Sequence, residues 1–287
     1  MKIEKLIMTV IILISFVGCS ELQTDIPVAI NKISIHPEGI SDVASPNFHG
    51  KLIKANNWNF KDCQDCHASD YSGGLAKNSC LTCHTSSTGP EACNTCHGDF
   101  TNSGLIAPPR AVNGEISTDF RGVGSHAKHL YTNTFGKTLT CNVCHTVPAS
   151  IYTPGHIDDS PHAEVSLGLL AAFKTSVTPT YDASNLTCAN TYCHGNFAFY
   201  RDSSSNNNYG VYLSDKMEGN NVTVTWNKVN QGQAACGTCH DLPPKGHKIF
   251  GDEPLKNCNL CHGSVVDGEG RIIDKSKHIN GVIDYGL

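Results

Sequence analysis

Residues 80–97 read Cys80-Leu-Thr-Cys83-His84-Thr-Ser-Ser-Thr-Gly-Pro-Glu-Ala-Cys93-Asn-Thr-Cys96-His97, two copies of a CxxCH pattern in one short segment. Working outward, the pattern recurs at Cys63-Gln-Asp-Cys66-His67, Cys141-Asn-Val-Cys144-His145, Cys236-Gly-Thr-Cys239-His240 and Cys258-Asn-Leu-Cys261-His262. A stretched copy, Cys188-Ala-Asn-Thr-Tyr-Cys193-His194, carries two more residues between its cysteines. Seven pairs account for every one of the 15 cysteines except Cys19.

The spacing has a chemical reading. Two thiols add across the two vinyl groups on one edge of a haem, and two intervening residues let both sulfurs reach that edge. The next histidine then falls beneath the iron as its proximal ligand. Histidine makes up 15 of 287 residues; its placement after all seven pairs by chance has a probability on the order of 10⁻⁹. Structural zinc fits worse, because adjacent Cys and His cannot easily turn onto one tetrahedral metal. A disulfide scaffold has no use for the histidines. The expectation is seven covalently bound haem c groups, with proximal His67, His84, His97, His145, His194, His240 and His262.

Eight histidines remain: His36, His49, His126, His129, His156, His162, His247 and His278. Each alone reads as an ordinary surface histidine, but eight for seven irons is a near match. His36, His49, His126, His129, His156, His247 and His278 are the candidate distal ligands, with His162 as the surplus. His126 and His129 stand at i, i+3, so one helix face could serve two haems or one. Gly155-His156 and Gly246-His247 trail their CxxCH motifs in a weak internal repeat. Methionine is an improbable ligand, since of three only Met217 lies beyond the first eight residues. Iron bound by two histidines has no open position for a substrate, and it works by changing oxidation state. No catalytic residue and no CxxCK variant is found, so the residues imply an electron-transfer protein rather than an enzyme.

Composition agrees. Hydrophobic residues are 39% and charged residues 16% of the chain, little for an ordinary protein core. A formal charge of −5 gives no basic footprint, so nucleic-acid binding is not expected. The expected fold is that of a multihaem cytochrome c: mostly short helices and loops wrapped around haems, with little regular secondary structure. Glu164–Phe173 and Asn221–Trp226 are β-prone and predict a small β element near the stretched motif. Residues 101–115 interrupt the pattern, suggesting an N-terminal three-haem module over 19–110 and a C-terminal four-haem module over 111–287.

The first 18 residues read as an export signal: Lys2 and Lys5, then a 13-residue mostly apolar run from Leu6 to Gly18, well short of the ~20 residues needed to span a bilayer. Phe16-Val17-Gly18-Cys19 resembles a bacterial lipoprotein signal, with Phe16 where leucine is usual. That resemblance implies lipid on Cys19 and, with Ser20, an outer-membrane lipoprotein facing the periplasm or the cell surface.

A second resemblance rests on Ala163-Glu164-Val165, on Leu186-Thr187-Cys188 to His194-Gly195-Asn196, on Val222-Thr-Val-Thr-Trp226, and on Cys236 to His240 with Leu242-Pro243-Pro244 and His247. Residues 163–247 are similar to the CxxxxCH/CxxCH multihaem cytochromes of metal-reducing deltaproteobacteria, of Geobacter type. The N-terminal half resembles multihaem c-type cytochromes more generally, with Ile35-His36-Pro37 and Phe48-His49-Gly50 ahead of three tightly spaced motifs. The resemblance implies respiratory electron relay toward extracellular acceptors such as metal oxides. It also implies other multihaem cytochromes or a porin-type β-barrel as partners. The alternative is a multihaem oxidoreductase reducing a small nitrogen or sulfur oxyanion at a five-coordinate haem.

Overall fold

At four of the motifs one helical turn joins the first cysteine to the histidine: the carbonyl of Cys80, Cys93, Cys141 or Cys258 accepts the N–H of His84, His97, His145 or His262 at 2.8–2.9 Å. That turn sets the two sulfurs on one side with the imidazole beside them. The computed structural model describes residues 35–107, 110–157, 160 and 162–284. The signal segment and Cys19 lie outside the described residues. The chain divides into two compact units, residues 1–58 and 59–287.

The first unit contributes one described helix, α1 (His49–Ala55), closed where the Asn56 N–H donates to the carbonyls of Leu52 and Ile53. His49 opens it and donates from Nδ1 to the Ile40 carbonyl at 3.0 Å, while His36 is exposed in the preceding loop.

The second unit is loops and short helices. α2 (Gln64–His67), α3 (Cys93–Cys96) and α5 (Asn259–His262) carry haem motifs, and α4 (His126–Leu130) carries two of the remaining histidines. Single 3-10 turns carry Cys80–Thr82, Cys141–Val143 and Tyr192–His194. Cys236–His240 is held by turns, with Gly237 at φ +85°.

Among the described residues, five short strands form two small sheets. β1 (Thr180–Asp182), β2 (Thr187–Ala189) and β5 (Val224–Thr225) lie in the order β1-β2-β5, all antiparallel, with Cys188 opposite Tyr181 on one side and Val224 on the other. β3 (Ala198–Tyr200) and β4 (Lys216–Glu218) pair antiparallel. The β element thus surrounds the stretched motif as expected, and Asn221–Trp226 supplies one strand. Glu164–Phe173 is not a strand. Its backbone groups go elsewhere: Ser166 and Gly168 N–H donate to the Cys144 and Val143 carbonyls, and the Glu164 carbonyl accepts from His145.

The segment 101–115 lies inside the second unit and is tied to both sides. Gly98 N–H donates to the Arg110 carbonyl, and the Tyr131 hydroxyl accepts the Ala107 N–H. The protein core is thin. Phe60, Tyr71, Val123, Ala171, Met217 and Val224 are buried, yet no large side chain among the described residues is fully buried. Leu75 and Leu169 expose 84% and 93% of their surface, an apolar area suited to covering flat apolar rings. No helix among the described residues is long and apolar enough to cross a membrane.

Candidate haem sites

None of the 14 described cysteines is in a disulfide, and all are half-buried or exposed. Burial pushes the Cys188 thiol up to about 11 and that of Cys193 up to about 12, with the neighbouring Cys144 adding to both shifts. Cys193 also feels Cys239, and Cys80 feels Cys63. Cysteines of different motifs therefore lie close together in space, which places those motifs side by side.

The histidines share a pattern. A carbonyl oxygen only accepts, so a ring nitrogen bonded to it must carry the hydrogen. Nδ1 of His67, His145, His240 and His262 donates to the carbonyls of Asn78, Glu164, Asp241 and Asp284. Nδ1 of His49, His126, His129, His156, His247 and His278 donates likewise to Ile40, Val123, Ser125, Ile151, Lys248 and Phe135. Each of these ten rings is fixed as the tautomer whose Nε2 carries no hydrogen and can bind a metal. Burial pushes the His126 and His194 pKa values down to about 4, holding both neutral as ligation requires.

The rings are also paired. An imidazole nitrogen binds a metal at about 2.0–2.1 Å with its ring centre roughly 1.2 Å behind, so two imidazoles gripping one iron from opposite faces have centres about 6.4 Å apart. The ring centroids of His97 and His156 are 6.1 Å apart, of His126 and His145 6.3 Å, of His129 and His194 6.3 Å, and of His240 and His278 6.4 Å. Each pair joins the histidine of a cysteine motif to one of the other eight. His247 is pushed down by burial and by the neighbouring His262. The face of α4 thus serves two motifs, with His126 toward His145 and His129 toward His194. The trailing histidines reach past their own motifs, His156 to His97 and His247 to His262. His162 is exposed, with Ser160 donating to its carbonyl.

Trp226 sits against both α4 histidines, stacked on His129 at 5.8 Å and 19° and edge-on to His126 at 4.7 Å and 87°. Its indole N–H donates to the Arg121 carbonyl at 2.8 Å, and Ser125 Oγ donates to its own carbonyl at 2.6 Å. Gly124 lies so close to the indole that no side chain fits there. The stretched motif is stapled by Asn196, only 3% exposed, whose Nδ2 donates to the Asn190 and Val177 carbonyls. Asn220 does the same for the following motif, through the Thr238 carbonyl and the Asp241 carboxylate. Sequence reasoning gave Trp226 only a strand position and did not single out Asn220, since no local pattern marks contacts made over such separations.

The residues present fit haem c: paired thiols precede each proximal histidine, ten rings carry the tautomer whose Nε2 can bind a metal, and four ring pairs have the spacing of a two-imidazole grip. Haem c, when bound, would supply an iron that changes oxidation state by one electron; the chain would supply the thioether anchors and the imidazole ligands. Among the described residues no three His, Cys, Asp or Glu groups converge to hold a metal ion without such a ring.

The chain is therefore a multihaem c-type cytochrome, an electron-transfer protein. Residues 187–240, from the stretched motif through the following CxxCH, match the Geobacter CxxxxCH...CXXCH motif family, so this stretch of the chain is similar to that family. No curated protein and no solved structure matches the chain.

Proposed function

We propose that the chain is a seven-haem electron relay with every iron held between two histidines. The pairs are His97 with His156, His145 with His126, His194 with His129, His240 with His278, and His262 with His247. His36 and His49 are retained as axial ligands from the sequence. The reading rests on one observation: four motif histidines each face a second histidine at 6.1–6.4 Å, the separation of two imidazoles on one metal.

The contiguity of the motifs supports relay. His97 is depressed by burial, then by His156 and by His145 of the next motif, and His126 and His129 share one helical face. Electron tunnelling falls off exponentially with edge-to-edge distance, so neighbouring haems conduct without large motions. The acceptor in this reading is extracellular, a metal oxide reached through a porin-type β-barrel or further multihaem cytochromes, and lipid on Cys19 tethers the protein to the outer membrane. The formal charge of −5, made more negative by haem propionates, favours basic docking patches and association weakened by salt.

The test is the low-temperature EPR and near-infrared MCD spectrum of the oxidised holo protein, with haem counted by intact mass. Seven haems giving wholly low-spin, two-imidazole signals are expected. A high-spin fraction near one iron in seven would mark an open site and turn the reading to oxyanion reduction.

A further inference from the structure

We propose that, of the four histidine pairs, His129–His194 holds the highest-potential iron, so that among them the stretched motif is where electrons collect. The proposal rests on the two-histidine reading above and assigns the stretched motif a role of its own.

The first observation is a missing bond. Ten histidines donate Nδ1–H to a carbonyl, which strengthens the imidazole as a donor and favours ferric iron. Nδ1 of His194 is buried with no hydrogen-bond partner. The carbonyl of Thr191, three residues back, accepts the backbone N–H groups of His194 and Asn196 at 3.1 and 3.0 Å, and that of Asn190, four back, accepts Asn196 Nδ2 at 2.8 Å; neither accepts His194 Nδ1.

The second observation is ring orientation. The planes of His97 and His156 meet at 28° and those of His126 and His145 at 26°, whereas His129 and His194 cross at 75° and His240 and His278 at 69°. Parallel imidazoles split the two iron d orbitals that interact with their π systems, and the split stabilises the ferric hole. Crossed imidazoles leave the orbitals nearly degenerate and forgo that stabilisation, so the potential rises. Both crossed pairs belong to the residue 187–240 module on the proximal side. His240 and His278, however, donate to carbonyls at 2.7 and 2.6 Å, which sets their pair below His129–His194.

The third observation is charge. The guanidinium of Arg121 stands near enough to Tyr181 to oppose the burial that raises its pKa, and Tyr181 is the cross-strand partner of Cys188. A cation beside the motif favours the more negative, reduced state. Asp182 on the same strand is exposed, its carboxylate engaged by Ser184 and Asn185.

Ring angle also supplies the readout, because near-parallel pairs give rhombic low-spin EPR signals and crossed pairs give large-gmax signals. In a stepwise reductive titration of the holo protein, the first signal to vanish should be a large-gmax one. It should be separated from the next by at least a tenfold equilibrium ratio, about 59 mV for a one-electron couple. A rhombic signal vanishing first overturns the proposal. His129→Met identifies the site: the first-vanishing signal should leave the two-imidazole set and reappear as a methionine-ligated species. If that signal persists in a fully haem-loaded variant, the proposal is overturned; if the variant does not load, His278→Met decides, since the first-vanishing signal should persist there and its loss would overturn the proposal. A high-spin signal in the oxidised wild-type spectrum would instead count against the two-histidine reading, before any titration begins.

Discussion

Gly195 packs directly against the carbonyl of Cys239, joining the residue after one proximal histidine to the second cysteine of the next motif. The contact is reinforced by the chain between them. The Asn220 N–H donates to that same Cys239 carbonyl, and the Asn221 and Val222 N–H groups donate to the carbonyls of Gly195 and His194. A Cβ at Gly195 would overlap the Cys239 carbonyl, and its φ of +91° is in the left-handed region. The short segment 219–222 thereby fixes the spacing of the two motifs that define the family match.

Gly195→Ala is therefore expected to lower holo stability by about 2–4 kcal/mol, combining backbone strain with steric overlap. Gly155→Ala is the control, since Gly155 has φ +82° but open space around its Cβ position, and it should lose only about 1 kcal/mol. Thermal unfolding followed at the Soret band compares the two. Equal losses would mean that the Gly195–Cys239 contact contributes nothing beyond conformation.

Trp226 packs against His126 and His129, both proposed as axial ligands, so on that proposal its removal should show at two irons and not elsewhere. Trp226→Leu is expected to cost about 2–4 kcal/mol through lost packing and to alter one rhombic and one large-gmax EPR signal, those of the His126 and His129 pairs. Trp226→Phe keeps a ring against His129 but loses the bond to Arg121, and it should restore most of the spectrum. A change spread evenly over all signals would point to general loosening.

Much of this was legible in the sequence because the chemistry is local. A CxxCH turn brings its own sulfurs and imidazole together whatever surrounds it, so motif, cofactor and sparse secondary structure follow from spacing. Val224 and Thr225 were readable as strand because their neighbours alternate in character. Glu164–Phe173 has the same β-prone composition, but its hydrogen-bond partners are Val143, Cys144 and His145, a pairing no single-segment pattern encodes. The ring pairs are of the same kind. His97 with His156 and His240 with His278 depend on how loops return, and residue counts supplied only the near-equality of histidines and irons.

That distinction separates His156 from His162, two histidines close in sequence. His156→Ala removes the ring facing His97 at 6.1 Å and should convert about one iron in seven from low to high spin. His162→Ala removes an exposed ring and should leave the spectrum unchanged. EPR integration at a high-spin g value decides, and a high-spin signal from His162→Ala would reverse the assignment of the surplus histidine.

Alkaline pH should unfold the protein by way of one buried and one half-buried phenol. Tyr71, 4% exposed, donates to Glu91 Oε1 at 2.8 Å, and burial followed by that bond holds its pKa far above the ordinary tyrosine range. Burial pushes Tyr192 up to about 12. Below pH ~10 the phenols are neutral in both folded and unfolded chains, so they add no pH dependence. Above it the unfolded chain releases its phenolic protons first and binds fewer than the folded chain, so stability falls as pH rises. Denaturant midpoints measured from pH 8 to 11 should therefore decline beyond pH ~10. Tyr71→Phe should flatten that decline while costing about 1 kcal/mol at neutral pH for the lost hydrogen bond. A slope as steep in Tyr71→Phe as in the wild type would show that the Tyr71–Glu91 contact does not couple to folding.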